Sequence, residues 1–180
     1  MKKIHMVDLQ TQYKFIKTNV DAGIEQVLNS AQFINGPAVK SFQKNLESYL
    51  GVKNVIPCAN GTDALQIAMM GLGLKPGDEV ITADFTYAST VEVIALLGLT
   101  PVLVDVDPIT FNINPESIEK AITKKTKAIV PVHLFGQVAQ MEKIMQIAKK
   151  HGIFIIEDNA QALGANFTYS NGNKVKAGCI

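Results

Sequence analysis

The stretch from Ile153 to Gln161 contains the residues with the clearest chemical potential. An apolar run that is typical of a buried strand ends at two acids, Glu157 and Asp158, and Gln161 follows three residues later. In an open α/β sheet, ligands bind beyond the carboxyl ends of the strands. A carboxylate at that position is placed to meet a ligand rather than to fill the core. We therefore predict that Asp158 binds a ligand.

A second candidate lies at Asn60–Leu65, which follows an apolar run and opens a predicted helix. The exposed N–H groups of a helix start attract anions, Gly61 would let a phosphate come close, and Thr62 adds a hydroxyl donor. The structural alternative is a capping box, with Asn60 at the N-cap and Asp63 three residues on. Both interpretations stay open, and the charge of Asp63 counts slightly against a phosphate.

Two more side chains follow predicted strands. Tyr87 could lie flat on a planar ring, although an aromatic residue there more often packs on the core. His133 follows another strand, where a single histidine is more often a hydrogen-bonded structural residue. Because it shares an edge with Asp158, it is also a possible neighbour of an active site.

The sequence gives little sign of a metal site. Asp105 and Asp107 resemble a carboxylate pair, but Asp107-Pro108 followed by Thr110 favours a turn held by side-chain hydrogen bonds. The two cysteines and three histidines have none of the spacings that zinc sites use. We expect no metal, and we expect Cys58 to be a small core residue within a strand.

These candidates converge on one ligand chemistry. An acid held against a pyridine nitrogen keeps that nitrogen protonated and makes the ring an electron sink. Asp158 could supply that acid, and Gln161 could donate a hydrogen bond to a ring oxygen. Together with a helix start that could bind a phosphate and an aromatic ring, the acid and the amide supply the contacts that pyridoxal phosphate needs. The one group still required is a lysine that reacts with the aldehyde of the cofactor.

The predicted elements would place all these residues at one edge. Residues 1–50 form a helical segment whose second helix runs from Pro37 to Leu50, and strands and helices alternate thereafter. We predict an α/β fold, with a mostly parallel sheet and helices on both faces. The predicted strands are Asn54–Cys58, Glu79–Thr82, Pro101–Val106, Lys127–Val132 and Ile153–Glu157. The later helices are Gly61–Met70, Thr86–Leu97, Pro115–Ile122 and Met141–His151, and Asn171–Asn173 marks a hairpin-like turn.

Composition narrows the class of protein. The 180 residues carry a net charge of +1, without the basic face that a nucleic-acid partner requires. The start, Met1–His5, lacks the apolar region of a signal peptide, and no run is long enough to span a membrane. We expect an ordered cytoplasmic protein with no nucleic-acid or membrane partner.

Several motifs together resemble the DegT family of sugar-nucleotide aminotransferases, in order and over nearly the whole chain. The matching segments are Asn60–Leu65, Pro76–Thr82, Phe85–Tyr87, Val104–Pro108, Pro131–Gln137 and Ile156–Gln161. The resemblance implies that Gly61 and Thr62 cradle the phosphate of pyridoxal phosphate and that Tyr87 stacks on its ring. It implies that Asp158 partners the pyridine nitrogen and that Gln161 bonds the ring hydroxyl.

The family also implies an aspartate-aminotransferase fold (type I) and a homodimer. The implied reaction is amino transfer, usually from glutamate, to a keto sugar attached to a nucleotide. The residue sequence of the motif that begins at Asn60 is most similar to that of enzymes that act on UDP-linked N-acetyl sugars for surface polysaccharides.

The resemblance leaves one part missing. The Schiff-base lysine of the family is expected beyond Ile180, and Lys174 and Lys176 lack its motif, so no catalytic residue is assigned in this chain. Residues 51–180 would then be an incomplete cofactor-binding large domain, truncated before the small C-terminal domain. A sugar dehydratase with histidine at the lysine position, or a non-catalytic regulatory protein of the same fold, are the alternatives.

Overall fold

The computed structural model describes Ile4 and residues 7–180, so the interpretations of Met1–Lys3 and His5 lie outside the described residues. The chain divides into two compact units, of which the first ends at Pro57 and the second runs from Cys58 to Ile180. In the described part, no helix combines the length and the apolar character needed to cross a membrane.

The first unit contains the two predicted helices, α1 (Leu9–Ser30) and α2 (Pro37–Leu50). The Asp8 side chain caps α1 by accepting a hydrogen bond from the Thr11 N–H at 3.0 Å. Proline suits the first turn of α2 because its missing N–H would have no partner there. Gly51 ends α2 in a left-handed conformation (φ 71°), so the helix stops at Leu50 as predicted.

The predicted strand at Asn54–Cys58 is wrong. These residues have no strand partner in the described part of the chain, and the Val55 N–H instead bonds the Glu47 Oε1 at 3.0 Å. Apolar composition favours a strand only where a neighbouring strand can accept its backbone hydrogen bonds. Cys58 is consequently exposed and is not the core residue that we expected.

The second unit alternates helices and strands. Its helices are α3 (Gly61–Gly71), α4 (Ser89–Leu96), α5 (Pro115–Ala121) and α6 (Met141–His151), with a short 3₁₀ turn at Leu134–Gly136. Its strands are β1 (Glu79–Ala83), β2 (Thr100–Val104), β3 (Thr126–Val130), β4 (Phe154–Ile155), β5 (Asn166–Thr168) and β6 (Lys174–Lys176). Helix α4 begins three residues later than predicted, so Asp84–Ala88 form a loop. The strands β2, β3 and β4 end earlier than predicted.

Four parallel strands form the central sheet in the order β2-β1-β3-β4. Successive residues of a strand point to opposite faces, and in β1 Val80 packs with α3 and α4 whereas Ile81 packs with α5 and α6. The fold is therefore α/β with helices on both faces of a parallel sheet, as predicted. Strands β5 and β6 form a separate antiparallel hairpin around the predicted turn.

The carboxyl edge of the sheet continues past the regular strands. Val132 and Asp158 form an isolated parallel bridge just beyond β3 and β4. The Asp158 N–H bonds the Pro131 carbonyl at 2.9 Å, and its carbonyl accepts from the His133 N–H at 3.0 Å. The backbone of Asp158 is thereby fixed on both sides at the edge where parallel sheets bind ligands.

Candidate active site

A cleft of about 260 Å³ opens at this edge of the second unit. It brings together all five side chains or backbone positions predicted to bind a cofactor: Gly61, Thr62, Tyr87, Asp158 and Gln161. A larger groove of about 490 Å³ lies in the first unit, but no titratable side chain lines it. The chemistry therefore favours the smaller cleft as the candidate site.

The start of α3 contains a capping box and also leaves backbone donors available for a phosphate, so it is compatible with both interpretations of Asn60–Leu65. Asn60 Oδ1 accepts from the Asp63 N–H at 2.8 Å, and Asn60 Nδ2 donates to Asp63 Oδ2 at 3.1 Å, so the predicted capping box is present. The N–H groups of Gly61 and Thr62, which precede the capped Asp63 N–H in the chain, have no acceptor within the described residues. A Cβ added to Gly61 would meet nothing within 4 Å. Two backbone donors of cleft-lining residues thus have no acceptor in the described part of the chain, while the cap is satisfied.

The Asp158 carboxylate is held on both oxygens. Thr90 Oγ1 donates to Oδ2 at 3.2 Å, and the Ala160 N–H donates to Oδ1 at 3.2 Å. Thr90 is fully buried in the first turn of α4. Sequence reasoning missed Thr90, because no pattern in the sequence relates residues 68 positions apart.

The carboxamide of Gln161 has a defined orientation. Its Oε1 accepts a hydrogen bond from the Phe135 N–H at 2.7 Å, so the amide nitrogen is the group left to donate. Phe135 has left-handed backbone geometry (φ 55°) within the 3₁₀ turn. That turn therefore selects which end of the Gln161 amide is available to a ligand.

Tyr87 lies in the loop before α4 and is 78% exposed while lining the cleft. The alternative that it packs on the core is wrong, because its ring has no such environment. Thr86 lines the same cleft, and its hydroxyl oxygen is buried with no hydrogen-bond partner among the described residues. An unsatisfied hydroxyl of this kind is typical of a position that a water or ligand completes.

His133 is buried and does not line the cleft. Its ring is fully buried, with Nδ1 accepting from the Ala139 N–H at 3.3 Å and Nε2 lying 3.0 Å from Glu157 Oε2. Because Nδ1 is an acceptor, the network assigns the proton to Nε2, which donates to Glu157.

Glu157 also holds the end of the described chain. Its Oε2 accepts from the Gly178 N–H at 2.9 Å, and its Oε1 accepts from the Ile180 N–H at 2.7 Å. Burial and the charge of Glu157 raise the pKa of the neighbouring Cys179 thiol. Glu157 thus joins the His133 ring to the segment after β6.

Asp107 forms the predicted turn. Its Oδ1 accepts from the N–H groups of Ile109 and Thr110 at 3.0 and 2.8 Å, and these bonds hold the pKa of Asp107 below its ordinary value. Among the described residues, no three His, Cys, Asp or Glu side chains come together as metal ligands would.

Comparison with known proteins identifies the family of the chain. Residues 14–178 match the DegT/DnrJ/EryC1/StrS aminotransferase family. The chain belongs to this family. The UDP-2-acetamido-2-deoxy-3-oxo-D-glucuronate aminotransferase of Pseudomonas aeruginosa is 52% identical, over 91% of this chain and 46% of that protein. A pleiotropic regulatory protein of Geobacillus stearothermophilus is 48% identical, over 91% of this chain and 44% of that protein.

Solved structures share the fold of this chain. The Bacillus subtilis protein crystallised with bound pyridoxamine phosphate (PMP) superposes with a TM-score of 0.86 and 36% identity, over 92% of this chain and 38% of that chain. Other relatives are named as aminotransferases or transaminases of nucleotide-linked sugars. The chain spans less than half the length of the relatives it matches.

The comparisons indicate pyridoxal phosphate as the cofactor of this family. The groups in the cleft fit it chemically. Among the described residues, two N–H donors at a helix start have no acceptor, and a carboxylate, an amide donor and an exposed aromatic ring lie in the same cleft. A phosphorylated pyridine carrying a ring hydroxyl needs one partner of each of these kinds.

Proposed function

We propose that the whole protein is a pyridoxal-phosphate-dependent aminotransferase that converts a nucleotide-linked keto sugar to an amino sugar, with glutamate as amino donor, in surface polysaccharide biosynthesis. The observation that carries this proposal is the convergence of Asp158, Gln161, Gly61 and Thr62 on one cleft. Family membership and the names of the relatives support it.

Each residue has a proposed task towards the cofactor. Gly61 and Thr62 donate to its phosphate, and Tyr87 covers one face of its ring. Asp158 accepts a hydrogen bond from the ring nitrogen and keeps it protonated, and the Gln161 amide donates to the ring hydroxyl. When bound, the cofactor supplies an electron-withdrawing ring. Asn60, Asp63 and His133 remain proposed neighbours that fix the backbone around these groups.

The parts beyond this cleft are proposed mainly from the family resemblance. We assign residues 51–180 to an incomplete cofactor-binding domain after the helical segment 1–50, and expect the Schiff-base lysine in residues beyond Ile180. We propose a homodimer in the cytoplasm, with a nucleotide sugar and an amino acid as partners. A UDP-linked N-acetyl sugar is the favoured substrate. Exposed apolar side chains on α1, among them Phe15 and Ile24, supply a surface for subunit contact.

Cofactor binding tests the proposed roles directly. In the full-length apoprotein, we expect Asp158→Asn to weaken pyridoxal phosphate binding by roughly 10- to 100-fold, because a hydrogen bond to a charged group is lost. The matched control is Asp105→Asn, which follows strand β2 of the same sheet and lies outside the cleft. Equal affinities for both variants, measured by absorbance titration, would remove Asp158 from the site.

The reaction needs a separate measurement. We expect the full-length protein to convert a UDP-linked 3-keto-N-acetyl sugar to its amino sugar when glutamate is present, with 2-oxoglutarate as the second product. Mass spectrometry of the nucleotide sugar detects the change. A sugar product that has lost water, with no nitrogen gained, would instead identify a dehydratase.

A regulatory role is the second candidate, because one relative is named as a pleiotropic regulatory protein. The full-length protein would then bind no cofactor, or bind it without amino transfer to any nucleotide-linked keto sugar tested.

A further inference from the structure

We infer that Thr90 is a positioning residue for the cofactor ring: its hydroxyl fixes the Asp158 carboxylate in the orientation that meets the ring nitrogen. The inference rests on the proposed function, because it assumes that Asp158 faces a protonated pyridine. Thr90 does not line the cleft, so it would act only through Asp158.

The hydrogen bond between the two residues joins a buried side chain to a half-buried one. Thr90 is fully buried, and its Oγ1 donates to Asp158 Oδ2 at 3.2 Å. Because Thr90 is buried, the loss of its hydroxyl removes the donor on the inner side of the Asp158 carboxylate. Threonine is also β-branched, so only two rotamers are readily available to it in a helix. The direction in which the hydroxyl points is therefore restricted by α4 itself.

The second oxygen completes the restraint. Asp158 Oδ1 accepts from the Ala160 N–H, and the backbone of Asp158 is held by Pro131 and His133. With one donor on each oxygen, rotation of the carboxylate would break at least one bond. Each carboxylate oxygen can accept a further bond, so both retain capacity for a ligand. Thr90 thus connects the helix after β1 to the chemistry at the end of β4.

Replacing the hydroxyl by a methyl group tests this role. In the full-length apoprotein, we expect Thr90→Val to weaken pyridoxal phosphate binding about 5- to 10-fold. Binding of 1-deazapyridoxal phosphate, in which carbon replaces the ring nitrogen, should change little, because that ring makes no hydrogen bond to Asp158. Thr90→Ser keeps the hydroxyl and should restore the preference for the nitrogen-containing ring.

Thr82→Val is the matched control. Thr82 is also fully buried, and its hydroxyl donates to the Val130 carbonyl at 3.0 Å rather than to Asp158. We expect this variant to lower the melting temperature without changing the ratio of the two ligand affinities. Thr90→Ala provides the same test as Thr90→Val if the valine variant does not fold.

The outcomes separate the two levels of the proposal. If the wild-type protein binds both ligands equally, Asp158 does not meet the ring nitrogen and the proposed role of the site fails. If the wild type prefers pyridoxal phosphate and the variants without the hydroxyl keep that preference unchanged, only the inference about Thr90 is overturned. An equal loss of affinity for both ligands in the variants without the hydroxyl would also overturn the inference about Thr90, because it would indicate a purely structural effect.

Discussion

The carboxylate of Asp107 shows how a residue outside the cleft supports it. The turn that it caps leads to Asn112, whose carbonyl accepts from the Asp107 N–H at 2.9 Å. The buried Asn112 side chain then accepts from the Leu134 N–H at 3.2 Å and donates to the Gln137 carbonyl at 3.0 Å. Because Leu134 lines the cleft, the Asp107 turn contributes to the position of its wall.

The stability contributed by Asp107 should depend on pH. Hydrogen bonds from Thr110 and Ile109 lower the folded-state pKa of Asp107, so this stabilisation is present above the unfolded-state value and is lost as the pH falls through the folded-state value. Asparagine can keep the turn but does not titrate. We expect Asp107→Asn to unfold at a lower urea concentration than wild type at pH 7, because a neutral carboxamide oxygen accepts these bonds more weakly, and we expect this difference to shrink as the pH falls below the ordinary pKa of aspartate. Parallel losses in both proteins would contradict this.

At the scale of elements, periodic segments with clear ends could be predicted. Helix α6 begins and ends at the predicted residues, because its apolar spacing is helical and Gly152 follows in a left-handed conformation. The structure of the segment Asn54–Cys58 could not be predicted, because strand formation depends on partner strands that local composition does not reveal. The start of α4 was placed too early because the aromatic residues before it suit a loop as well as a helix.

The same distinction explains which site residues were found. Asp158 and Gln161 were accessible to sequence reasoning because a buried strand visibly ends before them. Thr90 was not, since its partner lies 68 residues away. Glu157 was visible as an acid beside Asp158, but its contacts with Gly178 and Ile180 depend on the path of the hairpin β5–β6. Local pattern fixes where chemistry can occur, and long-range packing fixes how it is oriented.

Glu157 should determine how firmly the segment after β6 is held. We expect Glu157→Gln to speed hydrogen exchange at the Gly178 and Ile180 amides by roughly 10-fold, because a neutral carboxamide oxygen accepts these bonds more weakly. Exchange can be followed by NMR.

Glu142→Gln is the control for that change. Glu142 also accepts hydrogen bonds from the hairpin, but from the Ser170 N–H and hydroxyl at its tip. It should leave the Gly178 and Ile180 amides unchanged. Equal acceleration in both variants would show that the whole hairpin loosens and that Glu157 has no local role.

At the scale of the whole molecule, the two cysteines differ in environment. Cys58 is exposed at the start of the second unit, whereas Cys179 is partly buried and has a raised pKa. A raised pKa leaves less thiolate at a given pH, and the thiolate is the reactive form. At pH 8 we expect a colorimetric disulfide reagent to modify Cys58 first, with Cys58→Ser removing the fast phase. A fast phase that survives in Cys58→Ser would contradict this.

The exposed Cys58 thiol is a natural attachment site for a fluorescent label. It lies two residues before Asn60, and its Sγ is 3.3 Å from the Asn60 carbonyl oxygen, next to the open N–H groups at the start of α3. A fluorophore attached there through brief, mildly alkaline treatment would leave Cys179 largely unlabelled. Its emission would respond to anions arriving at Gly61 and Thr62, so occupancy of the cleft could be followed in real time without engineering a new attachment point.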